Sequence, residues 1–174
     1  MKILGVDPGI RGGLAIVLVN SGNGGAQLLD AIDIPIVGTA AKERVDAIAL
    51  RQWVLGHQPD HCLIERAQAM PKQGASSGFK YGRAVGAIEA VVAGCEIPLS
   101  IVEPSAWKKF HALRGGDKET SRQRALQLFP AAHALLAERW ITAAWSPRSW
   151  RSMARAFWGR RHEPAQFRIC ATGG

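Results

Sequence analysis

The stretch MKILGVDPGIRGGLAIV, residues 1–17, ends an apolar run in an aspartate and follows it at once with Pro-Gly. Lys2 to Val6 reads as a short buried strand, because Ile3, Leu4 and Val6 are nearly continuous in apolar character. Asp7 then stands where the chain leaves the core. Pro8 fixes its own φ and Gly9 permits φ > 0, so the chain turns there. Leu14 to Val19 reads as the returning strand of a hairpin. A carboxylate on a rigid strand end, beside a glycine-rich turn that admits a large anion, suits metal or phosphate chemistry. The alternative is an aspartate that caps its turn through its own side chain.

The pattern continues outward from the hairpin. Residues 26–35 alternate weakly and stop at Pro35, which predicts a third strand. The spacing of Val45, Ile48, Ala49, Trp53 and Val54 predicts a helix over 42–57, with Gly56 as its stop signal. Residues 61–66 read as a buried strand containing Glu65. A polar, glycine-rich loop follows and turns helical near Ser76 or Ser77. Further on come a strand over 97–104, a short helix over 105–113 with Ser105 as its N-cap, and a loop and helix over 115–130 closed by Pro130. Three strands, then alternating helices and strands, imply an α/β fold: a mixed five-stranded sheet with helices on its faces. If the strands ending in Asp7 and Glu65 are parallel neighbours, both carboxylates emerge at the carboxyl edge, where α/β sites lie. Two carboxylates brought together need a cation or a shared proton. With no His-rich or Cys-rich set beside them, an oxygen-ligated Mg²⁺ or Mn²⁺ is the fitting ion.

Composition narrows the class. The 174 residues carry a formal charge of +8, which points to a polyanionic partner. That charge is uneven: residues 138–174 hold seven arginines against two glutamates, and residues 1–137 hold 15 basic against 12 acidic residues. No apolar run approaches the ~20 residues of a membrane helix, and Asp7 interrupts the only stretch that resembles a signal peptide. Cys62, Cys95 and Cys170 fit neither a disulfide framework nor a zinc site. The expectation is a reduced, cytoplasmic protein with no membrane partner. His57, His61, His111 and His133 lack ligand spacing and read as surface or hydrogen-bonded core residues.

Four blocks in order resemble the RuvC-type Holliday junction resolvases, in particular the small RuvC-like proteins of bacteria and their phages. They are ILGVDPGIRGGLAIV (3–17), LIERAQAMPKQGASSGFKYGRAVG (63–86), IVEPSAWKK (101–109) and GGDKETSRQRALQLFPAA (115–132). The resemblance covers roughly residues 1–137 and implies a ribonuclease H-like nuclease domain. It also implies a homodimer that binds four-way DNA and cuts two strands symmetrically. The family holds two Mg²⁺ ions on clustered carboxylates; one activates the attacking water and the other stabilises the leaving 3′ oxygen. Asp7 matches the family's first-strand ligand and Glu65 its fourth-strand ligand. The loop from Arg66 to Ser77 matches the segment that meets the junction, and Lys118 and Arg122 fall in a block near the phosphate backbone. Lys72, Lys80, Arg83 and Lys108 are further candidates for phosphate contact, which sets affinity and its salt dependence. Trp107 offers a base-stacking surface but reads better as half-buried core. Loop 66–77 has no aromatic residue, so a wedge into the junction would fall to Met70, or further on to Phe79 or Tyr81.

The chain departs from the family after residue 137. The family supplies its remaining acids from a C-terminal helix reading approximately Asp-His-Gly-x-x-Glu-Ala. Here the only acids are Glu138 and Glu163, and no Asp follows Asp117. Residues 138–174 hold four of the six tryptophans and no Lys, Leu, Val or Asp, and read as an atypical Arg/Trp-rich tail, partly helical or disordered. Read one base earlier, the codons of Trp140–Ile141 contain GAT, an aspartate codon. The codons that follow permit Asp-His-Gly-Arg-x-Glu where the family motif is due. The expectation is a frameshifted tail; the alternative is a basic arm that contacts phosphates and bases without cutting. Either way, two carboxylates are few for two divalent ions, and an impaired nuclease or a non-cleaving binder of branched DNA follows. An actin-like kinase or ATPase also begins with a strand, an Asp and a glycine turn, but needs two such domains. An RNA-directed nuclease of the same fold stays open.

Overall fold

The computed structural model describes residues 1–20, 26–39, 42–68 and 74–103. β1 (Lys2–Asp7) and β2 (Gly13–Val19) form the expected antiparallel hairpin, with Asp7 opposite Gly13. β3 (Ala26–Asp33) extends it on the far side of β2. β6 (His61–Glu65) lies parallel to β1, and β7 (Leu99–Val102) lies parallel to β6. The resulting five-stranded mixed sheet has the order β3-β2-β1-β6-β7. This is the α/β class expected, with the two strands that carry the carboxylates side by side.

Strand alternation explains the core. Leu4, Val6, Leu14, Ile16, Cys62 and Ile64 share one face of the sheet and are all buried. Helices α1 (Ala47–His57) and α2 (Ala75–Gly94) cover that face. α1 contributes Leu50 and Val54, four residues apart, and α2 contributes Ala84, Ile88 and Val92 at the same interval. Each fully buried aliphatic side chain of this kind stabilises the fold by about 1.5–3 kcal/mol. Burial also pushes the Cys62 thiol up to about 12, so it packs as a small apolar group rather than reacting.

Two local readings need correction. The first helix begins at Ala47, not at residue 42, because Asp46 caps it: its Oδ1 accepts from the amides of Ile48 and Ala49 at 3.1 and 3.0 Å. Arg44–Val45 (β5) instead pairs with Ile36–Val37 (β4) in a separate two-stranded ribbon, so Glu65 ends the sixth strand of the chain and, as expected, the fourth of the five-stranded sheet. The helix stops one residue beyond Gly56, and Gln58 takes the left-handed conformation at φ 50°. The histidines of this region have partners, as expected. His57 Nε2 lies 3.0 Å from Asp30 Oδ2, which also accepts from Trp53 Nε1 at 3.1 Å and so ties α1 to β3. His61 Nε2 lies 2.9 Å from Ser100 Oγ, and burial lowers its pKa. The helices expected over 105–113 and 115–130, Trp107, the end of the predicted strand at Pro104 and the tail 138–174 lie outside the described residues.

Candidate active site

β1 and β6 run parallel in register, with Val6 opposite Ile64. Asp7 and Glu65 are the next residue of each strand and the last. The two carboxylates therefore leave neighbouring strands at the same level of the sheet edge, each partly buried. Backbone pairing fixes the spacing of their Cα atoms and keeps the two carboxylates neighbours.

The turn after β1 is built to stay close. Gly9 has φ +134°, a conformation that L side chains rarely adopt. Gly12 N donates to Gly9 O at 3.1 Å and closes the turn. A Cβ on Gly12 would lie 1.9 Å from the carbonyl oxygen of Asp7. The backbone at Asp7 is thus gripped by its own turn, and the carboxylate inherits that rigidity.

Helix α2 brings a third group. The ring of Tyr81 packs on Gly9, with Cε2 3.2 Å from where a Cβ would stand. The phenol is half-buried, and its pKa is raised by that burial, then by the charge of Asp7, then by that of Glu65. Sequence reading offered Tyr81 only as a distant candidate wedge. The signal that finds it is helical spacing: Tyr81, Ala84, Val85, Ile88 and Val92 form one inward stripe, and the first of them reaches the sheet edge. Tyr81 is the only tyrosine in the chain, so phenolate absorbance reports it alone. In metal-free buffer it is expected to ionise above the ordinary tyrosine value of ~10. Asp7→Asn removes one cause and should lower the midpoint without restoring the ordinary value, because burial remains. A midpoint that does not move with Asp7→Asn would place the phenol away from the carboxylates.

The other predicted residues fall in two groups. Lys80 and Arg83 are exposed on α2, and the Arg83 guanidinium stands 5.9 Å from the ring centre of Phe79, itself 68% exposed. Lys72, Lys108, Lys118, Arg122 and Met70 lie outside the described residues. Sequence reading missed a clamp beside the site. Arg66 Nε donates to Glu103, just past β7, and Gln68 Nε2 approaches the other oxygen of that carboxylate at 3.5 Å. The clamp ties the segment leaving Glu65 to the neighbouring strand end. Being half exposed, the ion pair itself adds little stability, on the order of 0–1 kcal/mol.

The donor set is hard and anionic, which suits a divalent cation with oxygen ligands. It is also small. Among the described residues no group of three or more His, Cys, Asp or Glu side chains could hold a metal ion.

The model of the crossover junction endodeoxyribonuclease RuvC family matches residues 3–128, well over half of the chain. No curated protein matches it. Among solved structures, Thermus thermophilus RuvC in complex with Holliday junction substrate superposes with a TM-score of 0.65 at 22% identity, over 88% of this chain and 96% of that one. A second T. thermophilus RuvC structure gives 0.59 at 20% identity, over 91% and 97%. The fowlpox virus Holliday junction resolvase gives 0.56 at 13% identity, over 90% and 99%. At these identities the likeness speaks for the fold, and the family match carries the relationship.

Proposed function

The chain belongs to the crossover junction endodeoxyribonuclease RuvC family, and from that premise we propose that it is a Mg²⁺-dependent endonuclease acting on four-way or other branched DNA. The observation that carries the reading is the in-register pairing of β1 with β6, which sets Asp7 and Glu65 side by side at the carboxyl edge. Asp7 and Glu65 would hold the divalent ion, which supplies an activated water and charge neutralisation at phosphorus when bound. The rigid turn at Gly9 and Gly12 keeps Asp7 in place as the phosphate arrives. Lys80 and Arg83, with Lys72, Lys108, Lys118 and Arg122, neutralise the flanking backbone. With two carboxylates at the paired strand ends and no Asp after Asp117 in the sequence, cleavage by this chain is slow.

Two symmetrical cuts call for two copies, and α2 offers a face for the second. Gly78, Gly82, Gly86 and Ala90 recur every fourth residue, so they share one side of the helix. A Cβ on any of the three glycines would meet nothing within 4 Å. Each glycine costs a helix interior about 0.8–1 kcal/mol relative to alanine, a cost that close approach of another helix would offset. In a homodimer packed along this face, Gly82→Leu is expected to yield a folded monomer by light scattering. A dimer unaffected by Gly82→Leu would move the interface elsewhere.

The small donor set among the described residues favours a second reading, a branched-DNA binding protein that does not cut. Both readings predict junction binding that weakens steeply with salt. They part on incision: the nuclease nicks a synthetic four-way junction in Mg²⁺ or Mn²⁺ and not in EDTA, and the binder does neither.

A further inference from the structure

We infer that the Tyr81 hydroxyl is a further substrate-binding group of this site, donating a hydrogen bond to the phosphate that is cut. The inference rests on the nuclease reading and extends it to a residue on a different element from the carboxylates. The other members of the inward stripe of α2, Ala84, Val85, Ile88 and Val92, are aliphatic, and each is buried. At the one position of that stripe that reaches the strand ends, the chain carries a phenol instead. Its ring lies against Gly9, whose missing side chain is what lets α2 approach the turn so closely. The ring is thereby held, partly buried, against the turn by which the chain leaves Asp7. Two carboxylates repel an incoming phosphodiester, and a neutral donor on the helix beside them supplies a directed contact to its non-bridging oxygens. An ordinary phenol ionises only near ~10, so the hydroxyl is a donor throughout the neutral range.

Tyr81→Phe tests this, since it keeps the ring on Gly9 and removes only the hydroxyl. The variant is expected to melt with the wild-type protein and to bind a four-way junction within about twofold, because many backbone contacts share the affinity. Its single-turnover incision rate in Mn²⁺ should fall roughly ten- to a hundredfold, the loss typical of one donor to a charged reacting group. The second readout needs no cutting. With 3-fluorotyrosine incorporated at the single tyrosine, the fluorine resonance should shift when the junction is added in Ca²⁺. Wild-type incision by Tyr81→Phe, or a resonance that stays put while the junction binds, would overturn the inference and leave the nuclease reading intact. Failure of the wild-type chain to bind the junction would overturn both.

Discussion

Asp7→Asn is expected to lower divalent-dependent incision of a four-way junction by at least about a hundredfold, to the level of a control without protein. The reason lies in the sheet register. With Val6 paired to Ile64, Asp7 and Glu65 stand on neighbouring strand ends, and the amide of Asn offers a weaker, uncharged ligand in the same space. Asn keeps the size and shape of the Asp7 side chain, so the variant should fold, and thermal melting checks this. Junction binding in EDTA should also hold or tighten, since a negative charge has left the path of a phosphate. Loss of cutting with retained stability and binding separates a ligand from a structural residue. A fall in stability would assign Asp7 to the turn instead, as a cap.

Gly12→Ala is expected to destabilise the protein by about 3 kcal/mol or more, a fall in melting temperature on the order of 10 °C, and to cost incision as well. The added Cβ would stand 1.9 Å from the Asp7 carbonyl oxygen and 2.9 Å from its carbon. Both are backbone atoms, so no side chain can swing aside to make room. The strand end must move, and β1 sits between β2 and β6 at the centre of the sheet. Thermal unfolding of the variant, measured beside Gly56→Ala, checks the sign. Gly56 lies within α1 with open space around it, so its alanine variant should hold or gain stability through helix propensity. A Gly12→Ala protein as stable as wild type would mean that the turn is looser than its contacts imply.

Legibility differs from residue to residue for physical reasons. Asp7 and Glu65 could be read because each ends a short apolar run, and strand order in an α/β sheet then leaves few placements for two such ends. Their register is a backbone property that the apolar pattern fixes, since a slip by one residue would turn Leu4, Val6, Cys62 and Ile64 away from α1 and α2. The start of α1 was misread because Val45 continues the helical spacing, while the deciding interaction is the Asp46 side chain capping two amides. β4 and β5 are two residues each, too short for any period to register. Tyr81 entered the sequence reading only as a candidate wedge, not as a neighbour of the strand ends. Its place depends on how closely α2 approaches Gly9, which is a matter of tertiary packing. The Arg66–Glu103 clamp joins residues 37 positions apart and has no local signature.

The most direct measurement is to map incisions on a synthetic four-way junction, labelled in turn on each strand, with Mg²⁺ or Mn²⁺ and with EDTA, against a linear duplex of the same sequence. Slow, divalent-dependent nicks at symmetry-related positions of two opposing strands, absent with Asp7→Asn, are the predicted result. Equal binding of junction and duplex, with no incision beyond that of Asp7→Asn, would contradict the assignment of the paired carboxylates to phosphodiester cleavage in branched DNA.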